Sequence, residues 1–128
     1  MPRFPARRLA DLAADVINRA LGLELDAAPV WMSKAAHRHI ALDHPEDYPQ
    51  IIGRLGEVIS CPAYVGQKPG ISDNFYVVRN LRDVSSPILV AVGIGLSKFG
   101  TYNLRSAYCI SMEDVDRYRQ SGHLFIVK

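Results

Sequence analysis

The spacing of apolar residues changes period once along this 128-residue chain, and that change restricts the fold more than any other feature. In the first half they recur at helical intervals. Leu9, Leu12, Ala13, Val16, Ile17, Ala20 and Leu21 keep the i, i+3, i+4, i+7 rule and predict a helix over about residues 6–21. Pro5 suits its start and Gly22 the position after its end. Val30-Trp31-Met32 reads as a short extended piece. Ser33 then caps a second helix over about 34–43, which His44-Pro45 ends because the residue before proline is pushed out of the α region. Pro49 opens a third helix, with Ile51, Ile52, Leu55, Val58 and Ile59 as its stripe and Cys61-Pro62 as its stop. A loop follows from Cys61 to Asp73, containing Gly66, Pro69 and Gly70.

From Asn74 the runs turn β-branched and aromatic: NFYVVRN over 74–80, PILVAVGIGL over 87–96 and TYNLRSAYCI over 101–110. The breaks between them are too short for crossover helices, so antiparallel neighbours are expected. Ser111 caps a last short helix with Glu113 and Asp114 in its first turn; Gly122 ends it, and 124–127 offers a final strand. The expected class is α+β: N-terminal helices packed on a C-terminal antiparallel sheet of about four strands. One domain is expected over 1–128, with 1–30 as an N-terminal helix and lead-in and 31–128 as the core domain. Trp31, Leu55, Ile59, Val77, Leu89 and Val92 are the expected core.

The 48% hydrophobic fraction supports a packed core. The formal net charge of +2 announces no nucleic-acid binder by itself, but it is unevenly spread: −1 over residues 1–64 and +3 over 65–128. The sheet half is thus the one that would tolerate an anionic partner. Cys61 and Cys109 lack metal-ligand spacing and read as two buried thiols. No signal sequence is visible near the start and no run approaches a membrane span, so a cytoplasmic protein, or one delivered by another machine, is expected.

Three of the four histidines, His37, His39 and His44, fall within eight residues on the second helix. Imidazole is the side chain best suited to moving protons near neutral pH. His37 and His44 share a helix face; His39 points elsewhere. Capping or solvated histidines are the plainer reading. Zinc is a poor rival, with no HExxH and no cysteine nearby. On the strand 101–110, strict alternation would put Tyr102, Leu104, Ser106, Tyr108 and Ile110 on one face, with Asn103, Arg105, Ala107 and Cys109 on the other. Ser106 and Tyr108 would then offer two hydroxyls to a phosphate or base, unless this is simply a packed strand end. Arg79 sits among valines, where a guanidinium needs an anionic partner: a carboxylate, or a phosphate. No P-loop, GxSxG elbow or acidic metal cluster is present, so any nuclease chemistry would run on protons and fixed positive charge.

Taken in order, WMSKAAHRHIALDHP, RLGEVISCPAYVG, NFYVVRN and YNLRSAYCI resemble the elements of the phage-associated barnase–EndoU–colicin–RelE (BECR) nucleases, over Trp31 to Phe125. The resemblance implies that His39 and His44 are the helical histidines of the site. It makes Arg79 the basic strand residue and Ser106 and Tyr108 the hydroxyl pair. His37, Arg105 and Tyr102 are the adjoining candidates for substrate contact. It leaves residues 1–30 outside. It implies an RNA substrate cleaved without metal or other cofactor, and a toxin- or effector-like role restrained by an immunity protein or antitoxin. Arg79 could clamp an anion but not donate a proton, and Ser106 stands where threonine is more usual. The same fold could instead be a non-catalytic binding module. An ADP-ribosyltransferase-like toxin would need a catalytic glutamate near a strand, for which Glu113 is the candidate. If the nuclease assignment is right, His39, Arg79 and Ser106 should surround one cavity.

Overall fold

The longest apolar run in the sequence is the middle of the sheet. In a computed structural model describing residues 3–68 and 73–127, Ile88–Gly93 forms a strand buried along its whole length. Continuous apolarity is what a strand covered on both faces requires. The strands are β1 (Arg7–Asp11), β2 (Pro29–Met32), β3 (Tyr64–Gly66), β4 (Asn74–Arg79), β5 (Ile88–Gly93), β6 (Tyr102–Cys109) and β7 (Leu124–Ile126). They form one sheet in the order β1-β2-β6-β5-β4-β3-β7. Its helices are α1 (Ala14–Leu21), α2 (Lys34–Asp43), α3 (Tyr48–Ile51), α4 (Leu55–Ser60) and α5 (Met112–Gln120). No helix among the described residues is long and apolar enough to cross a membrane.

The α+β class holds, but the sheet has seven strands rather than about four, and it is mixed. β2 runs parallel to β6, pairing Val30 with Tyr102 and Trp31 with Asn103; all other neighbours are antiparallel. The lead-in supplies two of these strands. Residues 7–11, expected to begin a helix, pair instead with 29–32, and the helix starts at Ala14. Helical spacing over so few residues is a weak preference that non-local pairing overrides. Helix α4 presses against this strand, and a side chain on Gly56 would put its Cβ 2.6 Å from the Leu9 carbonyl oxygen. The expected third helix is two short ones, α3 and α4. The expected loop 61–73 contains β3; its Pro69 and Gly70 lie outside the described residues.

Two apolar layers cover the sheet. Helices α1, α2 and α4 bury Ile17, Ile40, Leu55, Ile59, Phe75, Val77, Ile88, Val90 and Val92 on one face. On the other, α5 covers Val78, Leu89, Ile110, Val115 and Leu124. Each such side chain contributes roughly 1.5–3 kcal/mol. Of the expected core residues only Trp31 departs, at 38% exposed. Val30 and Met32 on either side point inward with no exposure, so alternation turns the indole out.

Candidate functional site

Helix α2 is set by its ends. The Ser33 hydroxyl accepts from the Ala36 N–H at 3.0 Å, and the helix stops at His44, ahead of Pro45. Between them the helix turns His37 inward and leaves His39 exposed. His37 is 2% exposed. Its Nδ1 lies 3.0 Å from the Pro5 carbonyl oxygen and its Nε2 2.7 Å from the Tyr48 hydroxyl. That carbonyl can only accept, which puts a ring proton on Nδ1, and in the neutral imidazole the Tyr48 O–H then donates to Nε2. Both nitrogens are thus occupied in tying the N-terminal segment to α3. This corrects the expectation that His37 contacts substrate.

His39 and His44 lie on the outer side of α2. His39 Nδ1 is 2.7 Å from Asp43 Oδ2. The carboxylate holds the orientation of the ring, which stays exposed on the helix surface. The His39 and His44 rings meet edge to face at 6.0 Å, and His44 stacks on Tyr108 of β6 at 5.0 Å. The turn after α2 is pinned to the same strand, the Cys109 N–H donating to Asp47 Oδ2 at 3.0 Å. Burial and Asp47 push the Cys109 thiol up to about 11, in keeping with an inert half-buried cysteine. Cys61, expected buried, is exposed.

Strand β6 departs from strict alternation. Ser106 pairs with Ala91 and Leu104 with Val92, so Arg105 has no partner of its own. This β-bulge inverts the faces at that point. Tyr102 and Leu104 before it, and Ala107 and Cys109 after it, all face the helix layer. Tyr108 and Ile110 belong to the opposite layer, on the side where Ser106 pairs with Ala91. Tyr102, expected at the substrate, is therefore buried, its hydroxyl donating to the Asp26 carbonyl at 2.8 Å. Arg105, expected on the far face, lays its guanidinium over Gly93, whose missing Cβ would stand 2.8 Å from Nε.

Arg79 is the residue that does not converge. It pairs with Ile88, Ser106 pairs with Ala91, and positions 88 and 91 of one strand point to opposite faces. Arg79 Nη1 donates to the Cys61 carbonyl at 2.8 Å, a structural partner that the sequence did not suggest. The expected cavity shared by His39, Arg79 and Ser106 is thus not formed. Glu113 is exposed in the first turn of α5.

Beyond Tyr108 the same face carries groups not anticipated from sequence. Lys68, Tyr76, Tyr118 and His123 line one cavity with Tyr108, Leu89 and Leu124. Burial, with Tyr118, Tyr76 and Asp114 nearby, raises the Tyr108 phenol above its ordinary value. It therefore stays a protonated donor through the neutral range. The available signal was His123, the one histidine outside the helix cluster.

Neither a curated protein nor a solved structure matches this chain. A family model does, over residues 7–117, from the first residue of β1 into α5. The lead-in expected to lie outside the resemblance is therefore largely inside it, while Tyr118 and His123 fall beyond the matched range. The chain belongs to the phage-Barnase-EndoU-ColicinE5/D-RelE like nuclease3 family.

Proposed function

We propose that this protein is an endoribonuclease that cleaves RNA by attack of a ribose 2′-hydroxyl on the adjacent phosphate, with its two outer histidines moving the protons. The observation that carries this reading is the unbroken row His39, His44, Tyr108 on one open side of the protein, with Ser106 and Arg105 on the adjoining strand face. His39 is the base. Asp43 holds its Nδ1–H, so Nε2 carries the lone pair that takes the 2′-hydroxyl proton. The 2′-oxygen forms a bond to phosphorus, the bond to the 5′-oxygen breaks, and protonated His44 donates to that oxygen. The products are a 2′,3′-cyclic phosphate and a 5′-hydroxyl. The Arg105 fork, with the Ser106 and Tyr108 hydroxyls, steadies the extra charge on the phosphorane.

This reading needs no divalent ion. Among the described residues no three His, Cys, Asp or Glu side chains gather as a metal site, and fixed cations supply the charge. In a cell such an activity implies RNA as substrate and a restraining protein partner, as for an immunity protein or antitoxin, with the nuclease acting in the cytoplasm or delivered there as an effector domain. The test is incubation with total RNA in excess EDTA, followed by end-group analysis. Cyclic-phosphate ends are expected. Arg105→Ala is expected to lower the rate roughly 100-fold, whereas Arg79→Ala, on the other face, leaves it unchanged in the folded fraction. Cleavage that vanishes in EDTA and returns with magnesium would sink the metal-free mechanism.

A further inference from the structure

We infer that the cavity beside Tyr108 is a subsite for one purine base of the RNA strand, next to the scissile phosphate; this rests on the nuclease reading above. The cavity has a volume of about 250 Å3, just below the roughly 300–1,000 Å3 of pockets that hold drug-sized ligands. That is the scale of a single ring system. Its lining is largely aromatic. Tyr118 and His123 stand nearly parallel, 26° between planes and 6.4 Å between centroids, and Tyr76 and Tyr108 complete the lining. The Arg117 guanidinium, 5.4 Å from the Tyr118 centroid, braces that ring from α5. Among the described residues none of the three phenols, nor the His123 ring, nor Lys68, makes a side-chain hydrogen bond. These polar edges are free for a ligand.

The position joins the cavity to the chemistry. Tyr108 carries His44 on its ring at 5.0 Å and lines the cavity as well. A phosphate held at Ser106 and His44 therefore places a neighbouring base within reach of the cavity. Purine is favoured on two grounds. Its larger face covers more of the aromatic lining. Lys68 is a donor only, and N7 is an acceptor that adenine and guanine share and pyrimidines lack.

The test separates binding from cleavage. His39→Ala protein is titrated with 2′-deoxy trinucleotides, which cannot be cleaved by this route. All-purine trimers are expected to bind roughly 10-fold tighter than all-pyrimidine ones. His123→Ala and Tyr118→Ala are each expected to weaken purine binding roughly 5- to 100-fold, the range for removing one base–aromatic stack. Tyr118→Phe keeps the ring and is expected to retain the affinity, which distinguishes lost stacking from a lost fold. Lys68→Met is expected to narrow the purine-to-pyrimidine ratio. Equal affinity for both trimer classes, or affinity unmoved by His123→Ala, overturns the subsite. With wild-type protein and RNA, cleavage without purine bias leaves the nuclease reading standing and removes the subsite; purine binding without cleavage does the reverse.

Discussion

His39→Ala is expected to reduce RNA cleavage by roughly 100-fold or more, the usual share of a positioned general base, with no loss of thermal stability beyond about 1 kcal/mol. The second half of that expectation comes from exposure. The His39 side chain is 45% and that of Asp43 56% accessible, and an exposed i, i+4 pair contributes at most a few tenths of a kcal/mol. His44→Gln is expected to be similarly damaging, but it tests a different role. His44 ends its helix, where an imidazolium also suits the negative end of the helix dipole. A cap would show lowered stability with cleavage intact; an acid shows intact folding with cleavage lost. Wild-type cleavage should be bell-shaped in pH, because the base must be neutral while the acid is protonated. His39→Ala should remove the limb on the acid side, where the base must be unprotonated. Because burial raises Tyr108, that phenol should contribute no limb between them. If both histidine variants and Ser106→Ala cleave like wild type, the proposed proton transfers are wrong.

The largest structural effect is expected at Gly66. β3 lies between β4 and β7, and Gly66 pairs with Tyr76 on one side and Leu124 on the other. A Cβ there would overlap the His123 carbonyl oxygen and come within 2.7 Å of Leu124 Cδ2. That oxygen accepts from the Gln67 N–H at 3.1 Å, so neither backbone can retreat without breaking the pairing. Gly66→Ala should therefore cost about 3 kcal/mol, at the upper end for overpacking, and lower the melting midpoint by roughly 10 °C. An unchanged midpoint would show that β7 does not pack as described. Since His123 precedes β7, any folded fraction should also lose the purine preference.

Local chemistry was the legible part of this sequence. The Ser33 cap, the stop at His44-Pro45 and the Ser111 cap each depend on residues a few positions apart, and α2 and α5 fall where those signals place them. β4, β5 and β6 carry composition strong enough to be read singly. The missed elements depend on distant partners. β1 is a strand only because residues 29–32 pair with it. The three residues of β3 owe their conformation to β4 and β7 on either side. The site was half legible for the same reason. His39, His44, Ser106 and Tyr108 share one side of the protein. Arg79 was misplaced because the parity of its register against Ser106, set across β5, is not visible in one strand's sequence. Tyr76, Tyr118 and His123 come together only through the sheet order.

The bulge at Arg105 also sets how β6 can be altered. Along an unbroken strand a polar substitution is tolerated at every second position. Here that rule reverses phase in mid-strand. Up to Leu104 the even-numbered positions must stay apolar. From Ala107 onward the inward-facing positions are odd-numbered, and Ser106 and Tyr108 are the ones that look out. A redesign that steps by two from the exposed Asn103 would place its new charges at Ala107 and Cys109, inside the helix layer, and would leave the outward hydroxyls untouched. The extra residue lets one strand feed the same helix layer at both ends, through Tyr102 and Leu104 and then Ala107 and Cys109, while Ser106 and Tyr108 take the opposite face. Deleting Arg105 would restore plain alternation and turn no other residue over, whereas flattening the bulge with every residue kept would carry the inward phase of Tyr102 and Leu104 through to the far end and draw Ser106 and Tyr108 into the core.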